Sequence, residues 1–208
     1  MFISAFVNGA LLGGALILAI GAQNMFVLRQ GMARDQVFTV VFLSSFIDAG
    51  LIILGALGLG SLIATIPWLV PVASWGGAAF LCVFGGLSLY RAVKPKIAVE
   101  ELGNDVTSSF RKAVLMTLAF GLLNPHVYLD TVILLGGIAA SYEISARLYF
   151  VGGAVLSSFL WFFSIGYGAR TLTPLMRKPA GVRLLDFLVA TMMFIVAANL
   201  IVDQLSHV

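Results

Sequence analysis

The sequence predicts an all-α membrane protein: six transmembrane helices in two inverted three-helix repeats, with helix breaks in spans one and four. Three observations predict it. Of the 208 residues, 61% are hydrophobic and 10% charged, and the mean hydropathy is +1.06, whereas a soluble domain carries about 25% charge. Residues 1–28, 49–90 and 148–169 contain no charged side chain, and about 20 apolar residues suffice to cross ~30 Å of hydrocarbon. The third observation is a polar motif that recurs 100 residues later in the chain.

Taken in order, the first span covers roughly 3–28. Its start, Met1-Phe2-Ile3-Ser4, lacks the basic segment of a cleaved signal peptide, so the span is expected to stay. The second, 37–64, carries Asp48. It is separated from the third, 68–90, by Thr65-Ile66-Pro67-Trp68, with Pro71 following. Proline in a first turn and tryptophan at an interface fit a tight loop there. The longest polar segment, 91–112, holds Lys94, Pro95, Lys96, Glu100, Glu101, Asp105, Arg111 and Lys112 and suits a surface linker. The remaining spans are 113–141, 147–169 and 184–203. Residues 1–90 are thus expected to be the first repeat, 91–112 a cytoplasmic linker, and 113–208 the second repeat.

The basic residues orient this arrangement. Arg29 and Arg34 follow span one; Arg91, Lys94, Lys96, Arg111 and Lys112 follow span three; Arg170, Arg177, Lys178 and Arg183 follow span five. Among the 12 basic residues, Arg147 stands alone on the other side. Basic loops favour the cytoplasm, so both termini are expected outside. The alternation needs six spans.

The motif supplies the repeat. Leu18-Ala19-Ile20-Gly21-Ala22-Gln23-Asn24-Met25-Phe26-Val27 aligns with Leu118-Ala119-Phe120-Gly121-Leu122-Leu123-Asn124-Pro125-His126-Val127, with identities at Leu, Ala, Gly, Asn and Val. Ser44-Ser45-Phe46 and Ser157-Ser158-Phe159 also match, in spans two and five. Apolar helices share Leu, Ala and Gly by chance, but a matched asparagine inside both is harder to obtain so. Three spans per half force the second half to enter from the opposite side, the inverted plan common in secondary transporters.

Two carboxylates fall deep inside spans, Asp48 and Asp130. Asp186, three residues beyond Arg183, reads more simply as a helix-end carboxylate beside its own basic partner. At 1.5 Å per residue Asp48 lies roughly 18 Å along span two from Gln36, near mid-membrane. An ionised aspartate there costs ~2.5–3.5 kcal/mol on insertion scales. With no Lys or Arg deep in any span, three outcomes remain: protonation, pairing with His126, or pairing with a cation from outside. His126 and Asp130 share a face if their helix is regular. The bland alternative is a neutral Asp bonded to Ser44 or Ser45 on its own helix.

Asn124-Pro125 lies ~17 Å into span four, where proline removes an amide and should unwind the preceding turn. Freed carbonyls and the Asn amide can then line a cavity, although proline also makes mere packing kinks. Gly21-Ala22-Gln23-Asn24 is the weaker counterpart. The 22 glycines, including Gly9 and Gly13 and the pairs Gly76-Gly77, Gly85-Gly86, Gly136-Gly137 and Gly152-Gly153, mainly permit close helix contact, and would also serve a homodimer. Trp161, Phe162 and Phe163 read as packing or lipid-facing residues before a cage for a cation.

Several classes fall away. A single cysteine, Cys82, makes no internal disulfide or CxxC pair. There is no phosphate-binding loop or HExxH cluster, so neither ATP-driven transport nor an intramembrane enzyme is expected. The net charge of +3 is accounted for by loop orientation, and nucleic acid is not an expected partner. No cofactor or metal site is expected.

Gly21-Ala22-Gln23-Asn24 with Phe26-Val27, and then Asn124-Pro125-His126-Val127-Tyr128-Leu129-Asp130-Thr131, resemble the lysine exporter (LysE/ArgO) family of bacterial inner-membrane transporters, and its arginine-exporter branch in particular. Ser158-Phe159-Leu160-Trp161-Phe162-Phe163 resembles its fifth-span signature, and the likeness covers essentially the whole chain. The resemblance implies export of basic amino acids, arginine and lysine, across the inner membrane. It also implies that Asp48 and Asp130 match intramembrane aspartates, and Asn24 and Asn124 the two repeat motifs. The family's first motif usually reads Gly-Pro-x-Asn. Ala22 stands in the proline's place, so unwinding of span one rests on Gly21 alone.

Expected substrate-binding residues are therefore Gln23, Asn24, Asp48, Asn124, Pro125, His126, Tyr128 and Asp130, with Asp48 and Asp130 coupling protons. The expected partners are a basic amino acid, protons and membrane lipids. A passive cation channel or metal-cation exporter using the same aspartates is the alternative.

Overall fold

The computed structural model describes residues 2–18, 21–59, 68–93, 109–124, 127–176 and 178–206. Among them every regular element is a helix: α1 (Phe2–Ile17), α2 (Ala22–Ala33), α3 (Val37–Leu54, continued by one wide turn over Gly55–Leu59), α4 (Leu69–Val93), α5 (Phe110–Leu122), α6 (Tyr128–Ala140), α7 (Ile144–Gly168, tightening over Ala169–Leu172), the single turn α8 (Thr173–Met176) and α9 (Pro179–Ser206). Four stretches are long and apolar enough to cross a membrane: Val37–Gly58, Ser74–Val93, Ile144–Leu172 and Ala180–Leu205. The bent pair α1 and α2 makes a fifth if counted as one span.

The departures from the expected spans have local causes. Residues 3–28 are not one straight helix: α1 stops at Ile17, α2 starts at Ala22, and the two meet at 83°. Residues 113–141 likewise divide into α5 and α6. α6 opens with π-type winding over Tyr128–Leu135; His126, expected to share a face with Asp130, lies outside the described residues. The turn expected at 65–68 lies mostly outside the described residues, as does most of the linker 91–112.

Small residues set which helices touch. Gly9 faces the Phe150 backbone, Gly13 lies against Ala154, and Gly153 takes the Phe6 carbonyl, so α1 and α7 pack backbone to backbone. Ser157 Oγ, on the same seam, donates to the Ala10 carbonyl at 2.7 Å. α4 and α9 form a second intimate pair, with Gly85 against Met193 and Phe194. Without a hydrophobic driving force between helices in lipid, close packing of this kind is what holds them.

Two apolar cores result. One gathers Phe26, Val40, Val41, Phe84, Phe120, Phe162, Val189 and Met193, with the Phe26 and Phe120 rings stacked at 4.7 Å. The other gathers Ala5, Ile52, Ala56, Leu135, Ala146, Phe150 and Ala154. α3 and α7 run through both, and α1/α2 and α5/α6 pass from one to the other at their breaks.

The α1–α7 contact makes a clear prediction. Gly9→Val places its side chain into the Phe150 backbone, and overpacking of this kind costs about 1–3 kcal/mol. The melting temperature of the detergent-solubilised protein should fall, whereas Gly50→Ala, which meets nothing within 4 Å, should leave it unchanged.

Candidate functional site

Each helix break is sealed by a side chain reaching back across it. At the first, Gly21 is extended (φ −106, ψ −179) and precedes α2 without a side-chain cap. Gln23 and Asn24 therefore stand in the first turn of α2, at the positive end of its dipole. Asn24 Nδ2 donates to the Ile17 carbonyl freed at the end of α1, at 2.9 Å. Its Oδ1 accepts from Trp161 Nε1 of α7 at 3.3 Å. At the second break, α5 ends at Leu122, and the Tyr128 hydroxyl returns from α6 to the Leu122 carbonyl at 2.7 Å. The Ile17 and Leu122 carbonyls are the groups a broken helix leaves without intrahelical partners.

Asp48 lies where the two cores meet. It is 8% exposed, with Val41 of one core a few residues before it and Ile52 of the other just after. Its Oδ2 accepts the hydroxyl of fully buried Ser158 on α7. The partner is thus neither Ser44 nor Ser45: Ser45 Oγ donates to the Val41 carbonyl of its own helix at 2.8 Å. Ser44 Oγ and Gln23 Nε2 are buried without a hydrogen-bond partner among the described residues. A Cβ built on Gly121, the glycine of the second motif, would sit 3.6 Å from Gln23 Nε2. Orphaned buried polar atoms are rare and usually mark a missing water, ion or ligand. No Lys or Arg pairs with Asp48 among the described residues.

The structure therefore brings Gln23, Asn24 and Asp48 into one polar seam and adds Ser44, Ser158 and Trp161 to it. Trp161, read as packing, is an indole donor to Asn24. The recurring Ser-Ser-Phe was the signal that could have singled out Ser158. Asn124 lines a small void of about 10 Å³ together with Ala22, Gly77, Phe80 and Phe120, room for about one water. Asp130 is exposed beside Leu129 on the outer face of α6. Pro125 and His126 lie outside the described residues. An open groove runs along Phe159, Leu160, Phe163, Ser164 and Tyr167 on one face of α7, apart from Asp48.

Asp186 requires a correction. It does not pair with Arg183, whose Nε donates to the Ala92 carbonyl at 3.1 Å. Its Oδ1 instead meets both Arg29 of α2 and Arg91 of α4, each at 3.4 Å. The close α4–α9 packing turns Arg183 toward the end of α4, leaving Asp186 to face the other two.

Residues 15–204 match the model of the LysE type translocator family. The chain is 34% identical over 205 residues to the arginine exporter protein ArgO of Escherichia coli strain K12, covering 98% of this chain and 96% of that protein. It is 35% identical over 203 residues to that of Klebsiella pneumoniae, covering 97% and 95%. It is 34% identical over 206 residues to that of Salmonella typhi, covering 99% and 97%. No solved structure matches the chain significantly.

Asn24→Ala removes both the seal on α1 and the acceptor for Trp161. At ~0.5–1.5 kcal/mol per bond, the loss should amount to about 1–3 kcal/mol. With Trp68 and Trp75 replaced by Phe, the emission maximum of Trp161 should shift in the variant. An unchanged spectrum would mean that the indole does not depend on Asn24.

Proposed function

Since the chain belongs to the LysE type translocator family, we propose that it exports basic amino acids, arginine foremost and lysine with it, from the bacterial cytoplasm in exchange for protons. The observation that carries this reading is Asp48: a buried carboxylate at the junction of two apolar cores, met by a neutral hydroxyl rather than a cation. Such a group is stabilised by a proton or by a cation that comes to it. A guanidinium is weakly hydrated and presents a planar fork of donors to a carboxylate. It would replace the Ser158 hydroxyl on Asp48, while Gln23 and the first turn of α2 receive the substrate's own carboxylate. That relatives over nearly the whole chain are named arginine exporters supports the substrate class.

The remaining site residues extend this reading. Tyr128 holds the second break, Asn124 faces the first motif across the small void, and Pro125 and His126 complete the second motif. Asp130 supplies a second carboxylate for the cation or the proton. The exposed face it occupies is also one that a homodimer would cover.

The proposed topology has six crossings in two inverted repeats, 1–90 and 113–208, with 91–112 as a cytoplasmic linker and both termini outside the inner membrane. The packing supports it: α1 lies along α7 as α5 lies along α3, and α4 pairs with α9. Each exchanged pair joins one half to the other. Moving one positive charge out of a negative-inside cell costs ~2.3 kcal/mol per 100 mV. An incoming proton offsets that cost, and Asp48 would release its proton as the cation binds.

Purified protein in liposomes should show saturable counterflow of labelled arginine, and transport should respond to an imposed pH gradient. Asp48→Asn should lower gradient-driven transport at least about tenfold, the equivalent of one lost ionic contact. Full gradient-driven transport by Asp48→Asn would remove Asp48 from the mechanism. Non-saturating cation flux indifferent to arginine would replace exchange with a pore.

A further inference from the structure

We propose that Arg29, Arg91 and Asp186 form the inner gate of the transport path, an ionic clasp that must open for a cytoplasmic substrate to reach Asp48. The proposal rests on the exporter reading above and on its basic loops being cytoplasmic.

Four features of the cluster support it. It binds elements from both halves: Arg29 comes from α2, Arg91 from α4 and Asp186 from α9. It lies directly beneath the polar seam, since Arg29 is five residues beyond Asn24 on the same helix, roughly 7–8 Å along its axis. Asp186 is 2% exposed, so the clasp holds its carboxylate inside the bundle.

The fourth feature is the quality of the bonds. Both guanidinium groups approach the same oxygen, Asp186 Oδ1, each at 3.4 Å. Charge-assisted bonds built for stability are shorter, about 2.7–2.9 Å, and often bidentate. Two long contacts sharing one acceptor can be parted in turn. Arg91 keeps a second partner when the carboxylate leaves, since its Nη2 donates to Ser88 Oγ at 2.9 Å.

At the opposite end of the bundle no ion pair is found among the described residues. There Gly136 backs onto Gly55. Arg147 donates to the backbone carbonyls of Ala140 at 3.0 Å, Tyr142 at 3.2 Å and Ala56 at 3.4 Å. Asp186 is thus the carboxylate that meets guanidinium groups among the described residues. Its interaction in the closed gate is of the same chemical kind as the one an incoming guanidinium substrate makes with Asp48. A cation arriving from the cytoplasm can therefore compete for Asp186 as the clasp loosens.

The test uses the full chain with Cys82→Ser, since Cys82 is exposed, and a reporter thiol at the seam, Ala22→Cys. A membrane-impermeant maleimide should label the reporter slowly in inside-out vesicles. Arg29→Gln, which leaves the Arg91 contact in place and serves if Asp186→Asn does not fold, should speed labelling about tenfold, the effect of one charge-assisted bond. Asp186→Asn should speed it further. Unchanged labelling in both variants, or acceleration only in right-side-out vesicles, overturns the gate.

Arg29→Cys with Asp186→Cys, bridged by a reducible bifunctional thiol reagent, should lose arginine counterflow and regain it on reduction. Continued counterflow while bridged also overturns the gate. An unmodified protein without arginine counterflow overturns the exporter reading instead, and leaves the labelling result to judge the gate alone.

Discussion

One constraint organises the molecule: a carboxylate held at the meeting plane of two apolar cores. Asp48 cannot move toward Val41 or toward Ile52 without losing what polar company it has. The hydroxyl of Ser158 must come to it from α7, which fixes how α3 and α7 lie against each other. The other crossings of this plane obey the same rule. α1 gives way to α2 at Gly21 and α5 gives way to α6 after Leu122. A polar seam therefore runs across the bundle between two packed, apolar layers.

Breaking a helix inside hydrocarbon leaves carbonyls that lipid cannot satisfy. Both breaks answer this in one way with different residues. Asn24 reaches back seven positions to Ile17, and Tyr128 reaches back six to Leu122. This explains why span one breaks although Ala22 stands in the proline's place. Proline forces a break by removing an amide; an extended Gly21 and a well-placed Asn24 accomplish it by making the broken form the better bonded one. The indole of Trp161 then ties that break to α7, the helix that also supplies Ser158. Small residues at Gly9, Gly13 and Gly153 let α7 approach closely enough for both contacts.

The two ends of the bundle are closed by different physics. Backbone contact and carbonyl bonds to Arg147 close one end, and their strength changes little with the surroundings. A shared carboxylate closes the other, and a carboxylate responds to competing cations and to water. The asymmetry matters because the proposed substrate carries the same group as the residues at the proposed inner end.

Much of this was legible in the residues alone. Hydropathy and sparse charge are one-dimensional properties, so the helices, their apolar length and the isolation of Asp48 follow from counting along the chain. The recurring Gly-x-x-Asn placed both breaks, because glycine and proline act on the backbone they belong to. The family was legible for the same reason, its motifs being local. Partnerships were not. Asp48 takes Ser158, 110 positions away, instead of the serines on its own helix. Asp186 takes Arg29 and Arg91 instead of the nearer Arg183, and Asp130 lies on an exposed face while Asp48 is buried. Residue type and spacing dictate that a buried carboxylate needs a partner. Which group arrives is decided by which helices pack together, and here that rests on where the missing side chains of a few glycines allow two backbones to meet.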